Sequence, residues 1–367
     1  MEFSYYMPTR IVCGPDCIRE NSDTLQGLGM NAFIMTGAGS AQKNGSLRDV
    51  VDALEHEGIE WKHYSKVSPN PTLEQVRDAA EQAYTWGADC VIAIGGGSPM
   101  DAAKAVAVLA GEPVPDDELL SAASFPKVLP LVAVPTTAGT GSEVTPYSIL
   151  TNDSAQTKSL LRGDQIYPRI AFLDGRYTME LPRHITIATA VDALSHALEG
   201  YLAVRSLPLG RTLALESLRI IGRFLPVLRR GDMLSAGHRE ELLYASTLAG
   251  IVISQSGTTA VHAMGYSLTY FKSVDHGVAN GYLMAEYLRY LEPHRCDDVR
   301  RLLDALGMSS IDEFDQCLKS LVSTTVLTEE EIRRFAAIAS KAGNIRNTSP
   351  APTEEELKTM LTNCFAK

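Results

Sequence analysis

The chain predicts an α/β half followed by an all-helical half. Three observations carry that expectation. Short apolar runs alternate with helix-period segments up to residue 180, and glycine- or hydroxyl-rich turns follow several of those runs. Beyond Leu181 and Pro182 the strand signals nearly vanish while helical periods persist. At 367 residues the chain also exceeds what one hydrophobic core usually supports, so two domains are expected, residues 1–180 and 181–367.

Asn31–Thr36 is a candidate strand, followed by Gly37, Ala38, Gly39 and Ser40. Residues 46–58 carry Leu47, Val50, Val51 and Leu54 at helical spacing. Trp61–Tyr64 reads as a short strand ending at the turn Ser68, Pro69, Asn70, Pro71. Thr72 then caps a helix reaching Trp86, with Glu74 in its first turn. Cys90–Ile94 and Leu129–Val134 are apolar enough to be buried strands. Such alternation implies a parallel sheet covered by helices, which places ligands at the carboxyl ends of the strands. In the second half, residues 187–200 lack Pro and Gly until Gly200 and read as a helix that stops there. Further helical periods cover 208–225, 239–254, 282–291, 299–306, 311–321 and 329–342.

Composition narrows the class. A hydrophobic fraction of 45% with 21% charged residues is ordinary for a soluble enzyme. The net charge of -11 argues against nucleic-acid and anionic-membrane partners, which need basic surface. The first residues show no basic region followed by an apolar run, and no stretch of about 18 apolar residues could span a bilayer. Six scattered cysteines without a CxxC pair speak against a zinc ribbon. A cytoplasmic enzyme with reduced thiols is the expectation.

Two loops suit a nucleotide. Gly95, Gly96, Gly97 and Ser98 follow the strand Cys90–Ile94 and open a helix over 99–110 that carries Asp101 and Lys104. Glycines at such a turn let backbone N–H groups approach a phosphate, although the GxGxxG fingerprint is not met. Residues 135–145, with Thr136, Thr137 and Thr140, follow the next strand and supply small donors that suit a ribose or pyrophosphate. Asp192 and His196 lie one turn apart on a helix, where a salt bridge and a metal site are both open readings. With His262 and His276 they would make a three-imidazole, one-carboxylate site for Fe(II), Zn(II) or a similar ion.

Taken together, residues 95–104, 135–150, 192–200 and 262–280 resemble the iron-containing alcohol dehydrogenase family, whose fold resembles that of dehydroquinate synthase. The similarity covers essentially the whole chain in the same order and looks closest to the 1,3-propanediol dehydrogenase subgroup. The resemblance implies an α/β NADP-binding domain followed by an all-helical, metal-binding catalytic domain. By it, Asp192, His196, His262 and His276 match the family's four metal ligands. Gly96, Gly97 and Ser98 match its pyrophosphate loop, with Asp101 just beyond, and Thr136, Thr137 and Thr140 match its second cofactor loop. Asn70 and Lys158 look like further cofactor contacts.

Many members carry an Asp after the strand that ends here at Thr36, where it would bind a ribose 2′-hydroxyl. This chain has Gly37, then Ser40 and Lys43, which favours NADP(H) over NAD(H). Many members also place a proton-passing histidine four residues after the third ligand. Tyr266 stands there, and a phenol with a pKa of about 10 is a poorer base at neutral pH. The implied activity is a metal-dependent, NAD(P)-linked oxidoreductase acting on small primary alcohols, diols or aldehydes, and the implied assembly is a homodimer. The alternatives are a carbon–oxygen lyase of the dehydroquinate synthase type and a catalytically inactive nucleotide-binding protein.

Overall fold

The computed structural model describes residues 2–122, 124–153, 157–323 and 325–365. Strands β1 (Arg10–Cys13), β2 (Asn31–Thr36), β3 (Glu60–Tyr64), β4 (Cys90–Gly95), β5 (Leu131–Pro135), β6 (Tyr147–Asn152), β7 (Thr157–Arg162) and β8 (Ile170–Leu173) belong to the first half. Among them run helices α1 (Cys17–Glu20), α2 (Ser40–Lys43), α3 (Ser46–His56), α4 (Leu73–Trp86), α5 (Gly97–Gly111) and α6 (Asp116–Ser121). The second half is helical: α7 (Arg183–Leu202), α8 (Pro208–Arg230), α9 (Ala236–Ser256), α10 (Ala260–Lys272), α11 (His276–Leu306), α12 (Ile311–Leu321), α13 (Glu329–Ala339) and α14 (Glu354–Phe365).

The main sheet is wholly parallel, in the order β1-β8-β5-β4-β2-β3. Side chains on its central strands alternate between two cores, as the strand period requires. Val91, Ala93, Leu131 and Ala133 pack on the face covered by α4 and α5, whereas Ile92, Ile94, Val132 and Val134 join the α1 and α3 side. Both faces are therefore buried, which explains the unbroken apolar runs in the sequence. The chain leaves β2 for β3 on one side and returns as β4 on the other, so β2 and β4 flank the topological switch point. Thr36 is registered against Ile94 there. Thr72 caps α4, its hydroxyl accepting from Gln75 N at 3.2 Å.

Several strands escaped the sequence reading. β1 and β8 are four residues each, too short for a period to register. β6 and β7 form a separate antiparallel pair rich in polar residues. The first of two compact units comprises Tyr6–Leu181 with Leu234–Leu243; the second comprises Met1–Tyr5, Pro182–Met233 and Tyr244–Lys367. Residues 234–243 thus depart from a single boundary at 180. Glu240 backbone fits against Gly175, where an added Cβ would lie 2.7 Å from Glu240 N. Arg239 also donates to Leu181 O at 3.4 Å.

α7 is buried from Thr186 to Leu202 apart from half-buried Thr189, the pattern of a helix with neighbours all round. Gly200 does not end it, contrary to the sequence expectation. A Cβ there would come 2.3 Å from Val252 Cγ1 and 3.0 Å from Ser256 Oγ, so the glycine serves close packing against α9. No described helix is long and apolar enough to cross a membrane.

Candidate functional site

Asp192 and His196 project from the same face of α7, four residues apart. α10 brings His262 to them and α11 brings His276, the first residue of that helix. One ligand atom each from Asp192, His196 and His262, all three residues buried, lies within 4.8 Å of the others. Nε2 of His196 and of His262 are 3.1 Å apart, and Asp192 Oδ1 lies 3.9 Å from His196 Nε2. His276 Nε2 sits 3.7 Å from the same carboxylate oxygen, on the more open side of the group. Tetrahedral ligation at about 2.1 Å separates donor atoms by roughly 3.4 Å, and these separations bracket that value. Three imidazoles and a carboxylate are a donor set that Fe(II) and Zn(II) both accept.

Asn280 gives a second reason to place a cation here. Its Nδ2 has Asp192 Oδ1 at 3.2 Å, Ser195 Oγ at 3.3 Å, His262 Nε2 at 3.3 Å and His276 Nε2 at 3.4 Å. An amide nitrogen has two protons to give, so it cannot serve all four of these neighbours at once. A cation held among Asp192, His262 and His276 would use the lone pairs that the amide leaves over. Burial by itself would raise the Asp192 pKa, but the facing His196, His276 and His262 hold it below the usual carboxylate range. Tyr266 stacks on His276 with ring centres 5.7 Å apart and planes 10° from parallel, and meets His262 edge-on at 6.1 Å.

Backbone approach makes this convergence possible. A Cβ on Gly277 would lie 1.8 Å from Ala188 O and 2.9 Å from Asp192 Cβ. The start of α11 therefore touches α7 directly beside the ligand pair. Gly277→Ala must push that end of α11 away and His276 with it. The expected cost is about 1–3 kcal/mol of stability, with weaker metal binding, as read from urea melts and metal titration. Wild-type values in both would contradict the packing argument.

Glu199 went unassigned in the sequence reading. It follows Asp192 by seven residues and His196 by three, so it shares their face of α7. Its Oε1 accepts from Thr259 N at 2.8 Å, Thr259 Oγ1 at 2.7 Å and His262 N at 3.2 Å, while Oε2 faces His262 Nδ1. Burial works to raise its pKa, yet His262 and Thr259 outweigh it and hold it below the usual carboxylate range. An acid set between Ala197, Leu198 and Gly200, one turn beyond His196, is the available signal.

The candidate cofactor residues gather at the carboxyl edge of the parallel sheet. Gly37 follows β2; Gly96 and Gly97 follow β4 and open α5. The second loop lies against the first: a Cβ on Gly96 would meet Thr137 Oγ1 at 3.0 Å, and one on Gly97 would meet Thr140 Cγ2 at 2.8 Å. Thr136 N donates to Gly95 O at 2.9 Å. Ser98 Oγ accepts from Asn70 N at 3.2 Å, and Lys158 Nζ donates to Asn70 Oδ1 at 2.9 Å. Asn70 itself is left-handed at φ 55. Exposed Ser40 and Lys43 bound the short helix α2 beyond Gly37.

Asp101 binds the two loops to one another. Its carboxylate accepts from Ser142 Oγ at 2.8 Å and Ile149 N at 3.1 Å. Buried Lys104 donates to Ser142 Oγ and Tyr147 O, both at 2.7 Å, and to Thr145 Oγ1 at 3.2 Å. Burial brings the Lys104 pKa down to about 8 against the pull of Asp101 and Glu143.

Two family models match the chain. The model for iron-containing alcohol dehydrogenase matches residues 8–175, and that for the C-terminal part of the Fe-containing alcohol dehydrogenase family matches residues 186–365. The 1,3-propanediol dehydrogenase of Klebsiella pneumoniae is 29% identical, with 99% of each chain covered. The lactaldehyde reductase of Escherichia coli K12 is 34% identical over 72% of this chain and 69% of its own. The crystal structure of an iron-containing alcohol dehydrogenase from Thermotoga maritima superposes with a TM-score of 0.93 at 36% identity, both chains covered in full.

Proposed function

Because the chain belongs to the iron-containing alcohol dehydrogenase family, we propose that it interconverts small primary alcohols or diols with their aldehydes using NADP(H). The observation that carries this reading is the convergence of the Asp192, His196 and His262 ligand atoms within 4.8 Å, with His276 Nε2 3.7 Å from Asp192. These four residues would hold a divalent ion, Fe(II) being the family's eponymous metal and Zn(II) an acceptable substitute. When bound, the ion supplies Lewis acidity toward an alcohol or carbonyl oxygen, and the nicotinamide supplies or accepts the hydride.

The remaining steps fall to the chain's own groups. One carboxylate and three neutral imidazoles would leave a divalent ion with net positive charge. The backbone at Gly96 and Gly97, with the N-terminus of α5 behind it, suits a pyrophosphate. Ser98, Asn70 and Lys158 are joined by hydrogen bonds and would contact the cofactor together, with Thr136, Thr137 and Thr140 from the facing loop. Asp101 would contribute by fixing that loop through Ser142. Gly37, Ser40 and Lys43 offer space, a hydroxyl and a cation where a 2′-phosphate is expected. Tyr266 Oη is the candidate proton donor to the product oxygen in aldehyde reduction. The proposed domains follow the same division, with the cofactor on residues 1–180 and the metal on 181–367; a homodimer is the proposed assembly.

A lyase of the dehydroquinate synthase type finds less support. That reaction handles a phosphate- and carboxylate-bearing substrate, and the segments flanking Asp192, His196 and His262 carry no basic side chain beside the ligands. The test is NADPH consumption by metal-loaded protein with a panel of short aldehydes, lactaldehyde included. Oxidation of NADPH, faster than of NADH, is expected with at least one of them. No oxidation of either cofactor by any aldehyde would reject the reading.

A further inference from the structure

We infer that Glu199 is a positioning residue that fixes the tautomer of His262, keeping the ring proton on Nδ1 so that the Nε2 lone pair faces the metal. The inference rests on the metal reading of Asp192, His196, His262 and His276.

Glu199 is fully buried on α7, and its two carboxylate oxygens have separate tasks. Oε1 accepts from three donors at the start of α10: Thr259 N, Thr259 Oγ1 and His262 N. Two of these are backbone N–H groups at the end of a helix, with no partner in the turn before them. Oε1 must therefore be an acceptor, and its place is set. Oε2 is left facing His262 Nδ1. Three donors already converge on this carboxylate, which favours its acceptor-only form, so the ring nitrogen is the donor. A neutral imidazole carries one ring proton, so with Nδ1 donating, Nε2 has its lone pair free. Nε2 is the atom that lies 3.1 Å from His196 Nε2 within the donor group. Glu199 thereby selects the ligating tautomer, orients the ring, and ties the α10 backbone to α7 through one buried carboxylate. A ligating imidazole whose second nitrogen donates to a carboxylate also becomes a more basic ligand.

Glutamine tests this sharply because its shape is nearly unchanged. The backbone donors require the amide oxygen at the Oε1 place. The amide N–H2 then faces His262 Nδ1, which must accept, and the ring proton is driven to Nε2. Glu199→Gln should therefore bind Zn(II) about 10–100-fold more weakly in competition with a chromophoric chelator. 15N ring shifts of histidine-labelled, metal-free protein should move His262 from the Nδ1-protonated to the Nε2-protonated form. Glu199→Asp keeps an acceptor-only group; it should leave the Nδ1-protonated form in place and lose less affinity. Zinc affinity within twofold of wild type for Glu199→Gln, or equal losses with unchanged tautomer in both variants, would overturn the inference. If Glu199→Gln yields no folded protein, Thr259→Ala loosens the same carboxylate and must weaken zinc several-fold; wild-type affinity there would equally overturn it. A wild-type chain that takes up no zinc would instead sink the metal reading itself, and that result is seen before any variant is compared.

Discussion

Replacing His196 with alanine will abolish metal binding and turnover while leaving NADPH binding intact. His196 Nε2 faces His262 Nε2 at 3.1 Å and Asp192 Oδ1 at 3.9 Å, so its loss opens the donor group at its buried side. The two other imidazoles and the carboxylate remain, but three ligands with one missing corner hold an ion far less well. Lewis-acid stabilisation of an alkoxide is worth several kcal/mol, and about 4 kcal/mol corresponds to a rate factor near 10³. A fall in kcat/KM of at least about 10³-fold is therefore expected. NADPH binding should persist because Gly37, Asn70, Gly97, Thr137 and Lys158 all belong to the other compact unit. Metal analysis and fluorescence titration with NADPH on the same sample check both halves of the statement. Full activity in a metal-free variant would remove the mechanism.

Gly37→Asp will shift preference from NADPH toward NADH. The substitution fits: a Cβ at Gly37 meets nothing closer than Val67 O at 3.5 Å, and the residue is not among those with positive φ. The position follows β2 at the switch point, and the end of that strand is well anchored. Buried Thr36 donates to Gly37 O at 2.8 Å and is 2.9 Å from His63 Nε2. A carboxylate here can accept from a ribose 2′-hydroxyl and repel a 2′-phosphate. A hydrogen bond to a charged group contributes about 1.5–3 kcal/mol, roughly 10–100-fold in affinity, and repulsion adds to it on the NADPH side. The ratio of kcat/KM for the two cofactors should thus move by about 10²-fold or more. A ratio unchanged from wild type would show that the loop does not read the phosphate.

The parts legible in the sequence were those with strong local signals. Unbroken apolar runs marked β2, β4 and β5 because both sheet faces are covered, and the hydroxyl of Thr72 marked the start of α4. Asp192 and His196 were legible as a pair because helix geometry puts residues four apart on one face. Their union with His262 and His276 was not, since it depends on the approach of α7, α10 and α11. The residues that permit that approach are glycines, which carry no pattern. Gly277 meets the α7 backbone, and Gly265 leaves room for Asn280, whose Oδ1 would lie 2.4 Å from an added Cβ. The resemblance to known dehydrogenases puts the four forward together as candidate ligands. It did not reach Glu199, whose part emerges only once Thr259 and His262 are seen to point at it. Gly200 was misread for a related reason: a glycine near a helix end looks like a stop, whereas here α9 packs against it.

The proposed activity depends on a metal held by Asp192, His196, His262 and His276. Its most direct test is to strip the purified protein with a chelator, then titrate it with Fe(II) or Zn(II) while measuring aldehyde reduction and bound metal together. Turnover should rise in proportion to occupancy and level off at one ion per chain, with the His196→Ala variant flat throughout. Undiminished turnover in the stripped protein, or metal uptake equal in wild type and His196→Ala, would contradict it.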